Sequence, residues 1–109
     1  MKTSELTGAA LDWAVALIEY PEWKEQGYLE VFPYDLSFDD GTTYAPSTDW
    51  AQGGPIIAKE GITLRCGLHG WDAELPEFRI LMDGETALIA AMRCYIASKL
   101  GNNIDIPEE

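Results

Sequence analysis

The sequence is poor in the residues from which metal sites and disulfide frameworks are built, since it holds two cysteines and one histidine. Structural zinc usually takes four ligands, and no second Cys or His cluster accompanies the segment Cys66–His69. We therefore expect no metal and no cofactor. The two cysteines, Cys66 and Cys94, do not form the pattern of a disulfide framework, so we expect free thiols in a reducing compartment.

Basic residues are scarce as well, with 7 Lys and Arg against 19 Asp and Glu and a formal net charge of −12. A field of this sign repels phosphate backbones, so we expect no direct contact with nucleic acid. It would suit a basic protein partner or a mimic of DNA, and it is equally consistent with a surface that only confers solubility.

Long apolar runs are also missing. None approaches the 18 or so residues that a membrane-spanning helix requires. The stretch from Met1 to Ile18 lacks the basic start and unbroken apolar run of a secretory signal. We expect a cytoplasmic protein without membrane contact.

The chain does contain ample apolar and aromatic side chains, with 47% hydrophobic residues, four Trp and five Tyr in 109 residues. That content suffices for the core of a single domain over residues 1–109. Two segments, about 7–20 and 85–100, are apolar almost all round, which is typical of helices in the middle of a domain. The Thr7 hydroxyl is expected to cap the first helix.

Between these helices, β-branched and aromatic runs predict strands at 28–32, 56–58, 62–66, 71–75 and 78–82, with turns at 21–27 and 59–61. The prediction is an α+β fold in which a small antiparallel sheet packs with two largely buried helices and a long ordered loop. The pattern gives each helix one charge in an apolar setting, Asp12 and Arg93. Because an isolated buried charge is costly, we expect Asp12 or Asp49 to pair with Arg93, unless Arg93 extends to water.

The long loop is predicted over residues 44–57, where Pro46 and Pro55 interrupt regular structure. Gly53 and Gly54 allow positive φ and close approach of a ligand, and Trp50 would pin the loop to the core. Long ordered loops in small domains often carry function. The predicted ligand-binding residues are those whose hydroxyl, amide, carboxylate or bare peptide groups the loop would present: Tyr44, Ser47, Thr48, Asp49, Trp50, Gln52, Gly53 and Gly54. The alternative is that Trp50 is a core residue and Gly-Gly-Pro only a turn.

Three blocks of the sequence resemble the phage NinX family, a domain of unknown function in tailed phages and enterobacterial prophages. They are SELTGAALDWAVA at 4–16, YAPSTDWAQGGPII at 44–57 and LIAAMRCYIASKLG at 88–101. The resemblance implies a small phage-encoded protein that acts in the cytoplasm of the host. It implies no catalytic residues.

We weigh three functions. The first is a binding module for a small, nucleotide-like ligand that counters host defence. The second is an acidic protein that inhibits a host or phage protein partner through charge complementarity. The third is an enzyme that uses Cys66 and His69, or carboxylates. We favour it least, because nucleophilic catalysis by the thiol needs a third, orienting group. The apolar surplus of the helices leaves self-association open.

Overall fold

One helix, α5, lies at the centre of the fold in a computed structural model that describes residues 1–107. The last two residues of the predicted domain, 108–109, lie outside the described part. Nine of the fourteen residues of α5 are buried, and it contacts the sheet, α1 and α4. The elements in chain order are α1 (Gly8–Glu19), α2 (Pro21–Glu25), α3 (Tyr28–Val31), α4 (Trp50–Glu60), β1 (Thr63–Gly67), β2 (Gly70–Leu75), β3 (Ile80–Gly84) and α5 (Ala87–Leu100).

The predicted α+β class and its two buried helices are confirmed. Helix α5 begins after Thr86, whose hydroxyl accepts a hydrogen bond from the Ile89 N–H at 3.1 Å, and it ends at Gly101, where φ is 91°. Helix α1 follows Thr7 as expected, but the Thr7 side chain makes no capping hydrogen bond. The stability of α1 therefore comes from packing of its apolar surface, and the Thr7 hydroxyl does not contribute the capping bond that we predicted.

The sheet is antiparallel, with strand order β1-β2-β3. Thr63 pairs with Glu74 in the first hairpin and Leu75 with Ile80 in the second. Side chains alternate between its two faces, so Ala73 and Leu75 are buried against α5. These strands confirm the predictions at 62–66 and 71–75, while the third strand begins two residues later than predicted because a 3-10 turn occupies Pro76–Phe78.

The predicted turn at 21–27 and strand at 28–32 are wrong, because both segments are short helices. Pro21 lacks an N–H but fits the first position of a helix, and α2 begins there. Gly27, at φ 75°, then separates α2 from α3. The Leu29 carbonyl accepts a hydrogen bond from Trp13 Nε1 at 3.1 Å, which ties α3 to α1. A strand at this place would have had no neighbouring strand to pair with.

The largest correction concerns residues 50–60, which form helix α4. The predictions that the long loop continues to residue 57, with a strand at 56–58 and a turn at 59–61, are therefore wrong. The Asp49 carboxylate accepts from the Ala51 N–H at 2.9 Å and so caps the helix. Gly61, at φ 70°, terminates it. The two glycines and the proline inside this helix together cost about 5 kcal/mol relative to alanine, so tertiary packing must favour the helix.

Packing at Gly53 shows where that stabilisation arises. A Cβ atom on Gly53 would lie 2.4 Å from the carbonyl oxygen of Pro46 and 2.7 Å from Leu88 Cδ2. The helix therefore approaches both the preceding segment and α5 more closely than any other residue would permit. The Gly53 backbone faces the protein interior and is not presented to a ligand.

The predicted pairing of Arg93 with an aspartate is also wrong. Arg93 donates from Nε to the Leu6 carbonyl at 2.7 Å and from Nη1 to the Asp83 carbonyl at 2.8 Å. Asp12 instead accepts from the Ser47 N–H at 2.9 Å. Both polar groups are thus satisfied by backbone, Arg93 joining the N-terminal segment to β3 and Asp12 holding the segment before α4 against α1.

Candidate functional site

The predicted ligand-binding residues do not form one site. Trp50 is 56% exposed and therefore is not the core anchor that we expected. Ser47 is 2% exposed, and the Asp49 side chain is engaged in capping α4. A Cβ atom on Gly54 would lie 3.8 Å from Trp50 Cε3, so this glycine faces the Trp50 ring. Only Tyr44 and Gln52 reach the largest concave surface of the described chain, while Ser47, Thr48 and Trp50 line a separate and smaller one.

That largest concave surface, which we call the α1–α4 cleft, has a volume of about 440 Å³. Its lining comes from the end of α1, the segment before α4 and one face of α4: Glu19, Tyr20, Phe38, Tyr44, Ala51, Gln52, Pro55, Ile56 and Lys59. Volumes of about 300–1,000 Å³ are typical of small-molecule sites. The cleft thus has the size of a ligand site, although seven of its nine residues were not predicted.

One wall of the cleft consists of three aromatic rings that contact one another edge to face. The Tyr20 ring centroid lies 5.0 Å from that of Tyr44 and 5.6 Å from that of Phe38, and the Phe38 and Tyr44 centroids are 5.9 Å apart. At these separations the rings fill the space between themselves. A guest therefore has to lie against the outer side of the rings, facing α4.

Gln52 connects this aromatic wall to α4. Its Nε2 donates to the Thr43 carbonyl at 3.0 Å, and its Oε1 accepts from the Ala45 N–H. The side chain holds the backbone on both sides of Tyr44 and so fixes the position of the Tyr44 ring. Gln52 is therefore a positioning residue, and its amide is already occupied.

Tyr44 carries a polar group with no protein partner. The residue is 5% exposed, yet its hydroxyl forms no hydrogen bond with any of residues 1–107. Burial, followed by the nearby Glu19 carboxylate, raises the pKa of Tyr44 well above its ordinary value of 10.0. The hydroxyl consequently stays protonated and is available as a hydrogen-bond donor in the cleft.

A charged group lies at one end of the cleft. Glu19 Oε2 accepts a hydrogen bond from the Tyr95 hydroxyl at 2.5 Å and forms an ion pair with Lys59 Nζ at 3.2 Å. Burial and the bond to Glu19 raise the pKa of Tyr95, which keeps this phenol protonated as well. Glu19 Oε1 bonds none of residues 1–107, so the carboxylate retains a free acceptor beside the aromatic wall.

Helix α4 contributes an acceptor of a second kind. Pro55 has no N–H, so the Ala51 carbonyl four residues earlier lacks its usual helical donor. Both residues line the cleft, so this carbonyl belongs to the turn of α4 that borders it. A proline inside a helix is the one sequence signal that would have pointed here, but it becomes meaningful only once the helix itself is known.

The smaller groove is formed where Trp50 faces the first turn of α5, and its volume is about 220 Å³. It holds three of the predicted ligand-binding residues: Ser47, Thr48 and Trp50. The Thr86 hydroxyl at its edge already caps α5. This groove therefore offers an exposed ring beside Ser47, whose buried hydroxyl has no hydrogen-bond partner among the described residues.

The remaining reactive side chains do not converge. Cys66 lies at the end of β1 and His69 in the hairpin that follows, and both are exposed. Cys94 is buried in α5, where burial raises the pKa of its thiol to about 11. Over residues 1–107, no group of three or more His, Cys, Asp or Glu side chains is placed to hold a metal ion.

Within the same described range, no helix has the length and apolar character needed to cross a membrane. Comparison with known proteins identifies one family, whose model is described as Bacteriophage P22, NinX, and it matches residues 2–99. That span includes every residue that lines the α1–α4 cleft. No curated protein sequence matches the chain.

Proposed function

The chain belongs to the phage NinX family, and from the geometry of the α1–α4 cleft we propose that it is a binding module for a small molecule. The observation that carries this proposal is the Tyr44 hydroxyl, which lies in a cleft, on a residue that is 5% exposed, without a partner in residues 1–107. The Tyr44 oxygen is not among the fully buried polar atoms that lack a partner in the described residues, so it is open to the cleft. It can donate to a ligand acceptor without first breaking a contact within the protein.

The rest of the cleft supports the same function. Rings and aliphatic side chains form its walls, and a few polar groups converge on it, which is the usual composition of a small-molecule site. Its positioning contacts, those of Gln52, are made within the protein. The site is therefore held in shape before any ligand arrives, which reduces the entropy lost on binding.

In a phage-family protein, we take the role of such a site to be the sequestration of a host molecule in the host-cell cytoplasm. A nucleotide-like signal of host defence is the kind of ligand we have in mind. Sequestration needs affinity and abundance but no catalytic group.

A cleft-blocking substitution tests the proposal. Ala51 and Ala58 are both exposed on α4, but only Ala51 lines the cleft. Wild type, Ala51→Phe and Ala58→Phe would be screened by thermal shift against a broad panel of nucleosides, nucleotides and other metabolites. We expect ligands that raise the melting temperature of wild type and of Ala58→Phe but not of Ala51→Phe.

Two results would contradict the proposal. One is a panel that leaves the wild-type melting temperature unchanged throughout. The other is a set of ligands that stabilise Ala51→Phe as well as they stabilise the wild type, since binding would then occur outside the α1–α4 cleft.

A second candidate function is binding of a basic protein partner. The observation that favours it is the charge imbalance of 19 acids against 7 bases. Within the described residues, ion pairs occupy the carboxylates of Glu19, Glu60 and Glu74, which leaves most acids facing solvent. Affinity for such a partner would fall steeply with added salt and would be the same for Ala51→Phe and wild type.

A further inference from the structure

The polar groups of the α1–α4 cleft also indicate which class of small molecule it takes. We propose that the ligand is a planar heterocycle bearing an amino group, a nucleobase or nucleoside without phosphate, held between the aromatic wall and α4. This inference rests on the proposed function, because it concerns the same cleft.

The lining of the cleft favours an aromatic guest. The rings of Tyr20, Phe38 and Tyr44 contact one another and line the cleft. On the α4 side the lining includes the small or flat side chains of Ala51 and Pro55. Any of the nucleobases can gain affinity by stacking on aromatic side chains, since every base has a π face.

The free hydrogen-bonding groups favour a guest that donates. Two acceptors can serve a guest: the Ala51 carbonyl, which lacks its donor at Pro55, and Glu19 Oε1, which bonds none of residues 1–107. One protonated donor is available, the Tyr44 hydroxyl. An amino group beside a ring nitrogen presents donors and an acceptor along one edge of a base and matches this set. A ring with neither an amino group nor an N–H would leave both protein acceptors unpaired.

The charges disfavour a phosphate ester. Lys59 is the single cation that lines the cleft, and its ammonium is already paired with Glu19 at 3.2 Å. The chain as a whole carries a formal charge of −12. A phosphate would have to compete with Glu19 for Lys59 and enter a negative field, whereas an uncharged nucleoside does neither.

Matched ligands separate these features. Adenosine and guanosine would be titrated by calorimetry. Each would be compared with the analogue that lacks its amino group, which is purine riboside for adenosine and inosine for guanosine. Each would also be compared with its own 5′-monophosphate. For the nucleoside that binds more tightly, we expect its analogue to bind about tenfold more weakly. The analogue lacks the amino group that would donate to the protein acceptors of the cleft. We expect about tenfold weaker binding of the monophosphate at low salt, with the difference shrinking as salt is added.

A substitution in α4 tests the part assigned to the Ala51 carbonyl. Pro55→Ala restores the helical N–H to that carbonyl and removes it as an acceptor. We expect this variant to have a higher melting temperature but to bind the nucleoside about fivefold more weakly, because one hydrogen bond is lost. Cys66→Ser, on the exposed hairpin far along the chain from the cleft, serves as the control and should bind like the wild type.

Equal or tighter binding of the monophosphate, or of the analogue without the amino group, would overturn the inference and leave the proposed function standing. So would an absence of nucleoside binding when other panel molecules are blocked by Ala51→Phe. Failure of all panel molecules would instead overturn the proposed function, and the inference with it.

Discussion

Adjacent glycines in α4 give the sharpest test of the fold, because the structure predicts opposite effects for the same substitution. In Gly53→Ala the new methyl group would lie 2.4 Å from the Pro46 carbonyl oxygen and 2.7 Å from Leu88 Cδ2. In Gly54→Ala the nearest atom is Trp50 Cε3 at 3.8 Å, an ordinary contact. Neither glycine has a positive φ, so backbone strain does not distinguish them.

The magnitudes follow from two terms. Replacing glycine by alanine inside a helix stabilises it by about 1 kcal/mol. Overpacking costs about 1–3 kcal/mol, and at Gly53 we take the upper end because a backbone carbonyl cannot rotate away. Gly53→Ala should therefore lower the free energy of unfolding by about 2 kcal/mol, and Gly54→Ala should raise it by up to about 1 kcal/mol.

Urea denaturation followed by far-ultraviolet circular dichroism measures both values, and thermal unfolding gives an independent check. For a domain of this size, about 1 kcal/mol corresponds to a shift of roughly 4 °C in the melting temperature. The two variants should therefore melt about 12 °C apart. Equal shifts for the two would refute the reasoning, since a loop at residues 50–60 would gain no helix propensity and bring no methyl group against Pro46.

Three further predictions concern the contacts that hold the helices, each measured as the free energy of unfolding in urea. Thr86→Ala should lose about 1 kcal/mol while Thr7→Ala stays within about 0.5 kcal/mol, because only Thr86 makes a capping bond; equal losses would contradict this. Arg93→Met should lose about 2–4 kcal/mol, since two charge-assisted bonds to carbonyls disappear, and an unchanged value would show that Arg93 is dispensable. Burial raises the folded-state pKa of Asp12 above its ordinary 3.8, so its ionisation opposes folding and stability falls as pH rises from about 4 through that pKa. Asp12→Asn should remove this part of the pH dependence, and an identical pH profile would contradict it.

Helices α1 and α5 and two of the strands could be predicted from the sequence because their patterns are local. Residues 87–100 are apolar on nearly all sides, with the capping residue Thr86 before them and Gly101 after them. This pattern is typical of a buried helix. The segment 62–66 likewise has the β-branched character of a strand. In these places local preference and tertiary packing agree.

Residues 50–60 could not be predicted because packing there overrides local preference. Gly53, Gly54 and Pro55 all disfavour a helix in isolation. The compensating interactions are the close approach of Gly53 to Pro46, seven residues earlier, and to Leu88, 35 residues later in the sequence. The same limit explains Arg93, whose partners are backbone carbonyls and so carry no signature in the sequence.

The candidate site was located in part. Tyr44 and Gln52, two of the predicted ligand-binding residues, line the α1–α4 cleft. Glu19 and Lys59 were missed, since the end of α1 and α4 are far apart in the sequence and only the fold brings their charged groups to 3.2 Å. Whether the cleft binds a ligand stays a prediction.

The most direct test of that prediction is the effect of the Tyr44 hydroxyl on binding, measured by calorimetry with the tightest ligand from the panel. Tyr44→Phe removes only the hydroxyl, and Tyr28→Phe removes a phenol outside the cleft that donates to the Asp35 carbonyl at 2.6 Å. We predict about tenfold weaker binding by Tyr44→Phe, with no loss of stability, and unchanged binding by Tyr28→Phe. Equal affinity of Tyr44→Phe and wild type would contradict the account.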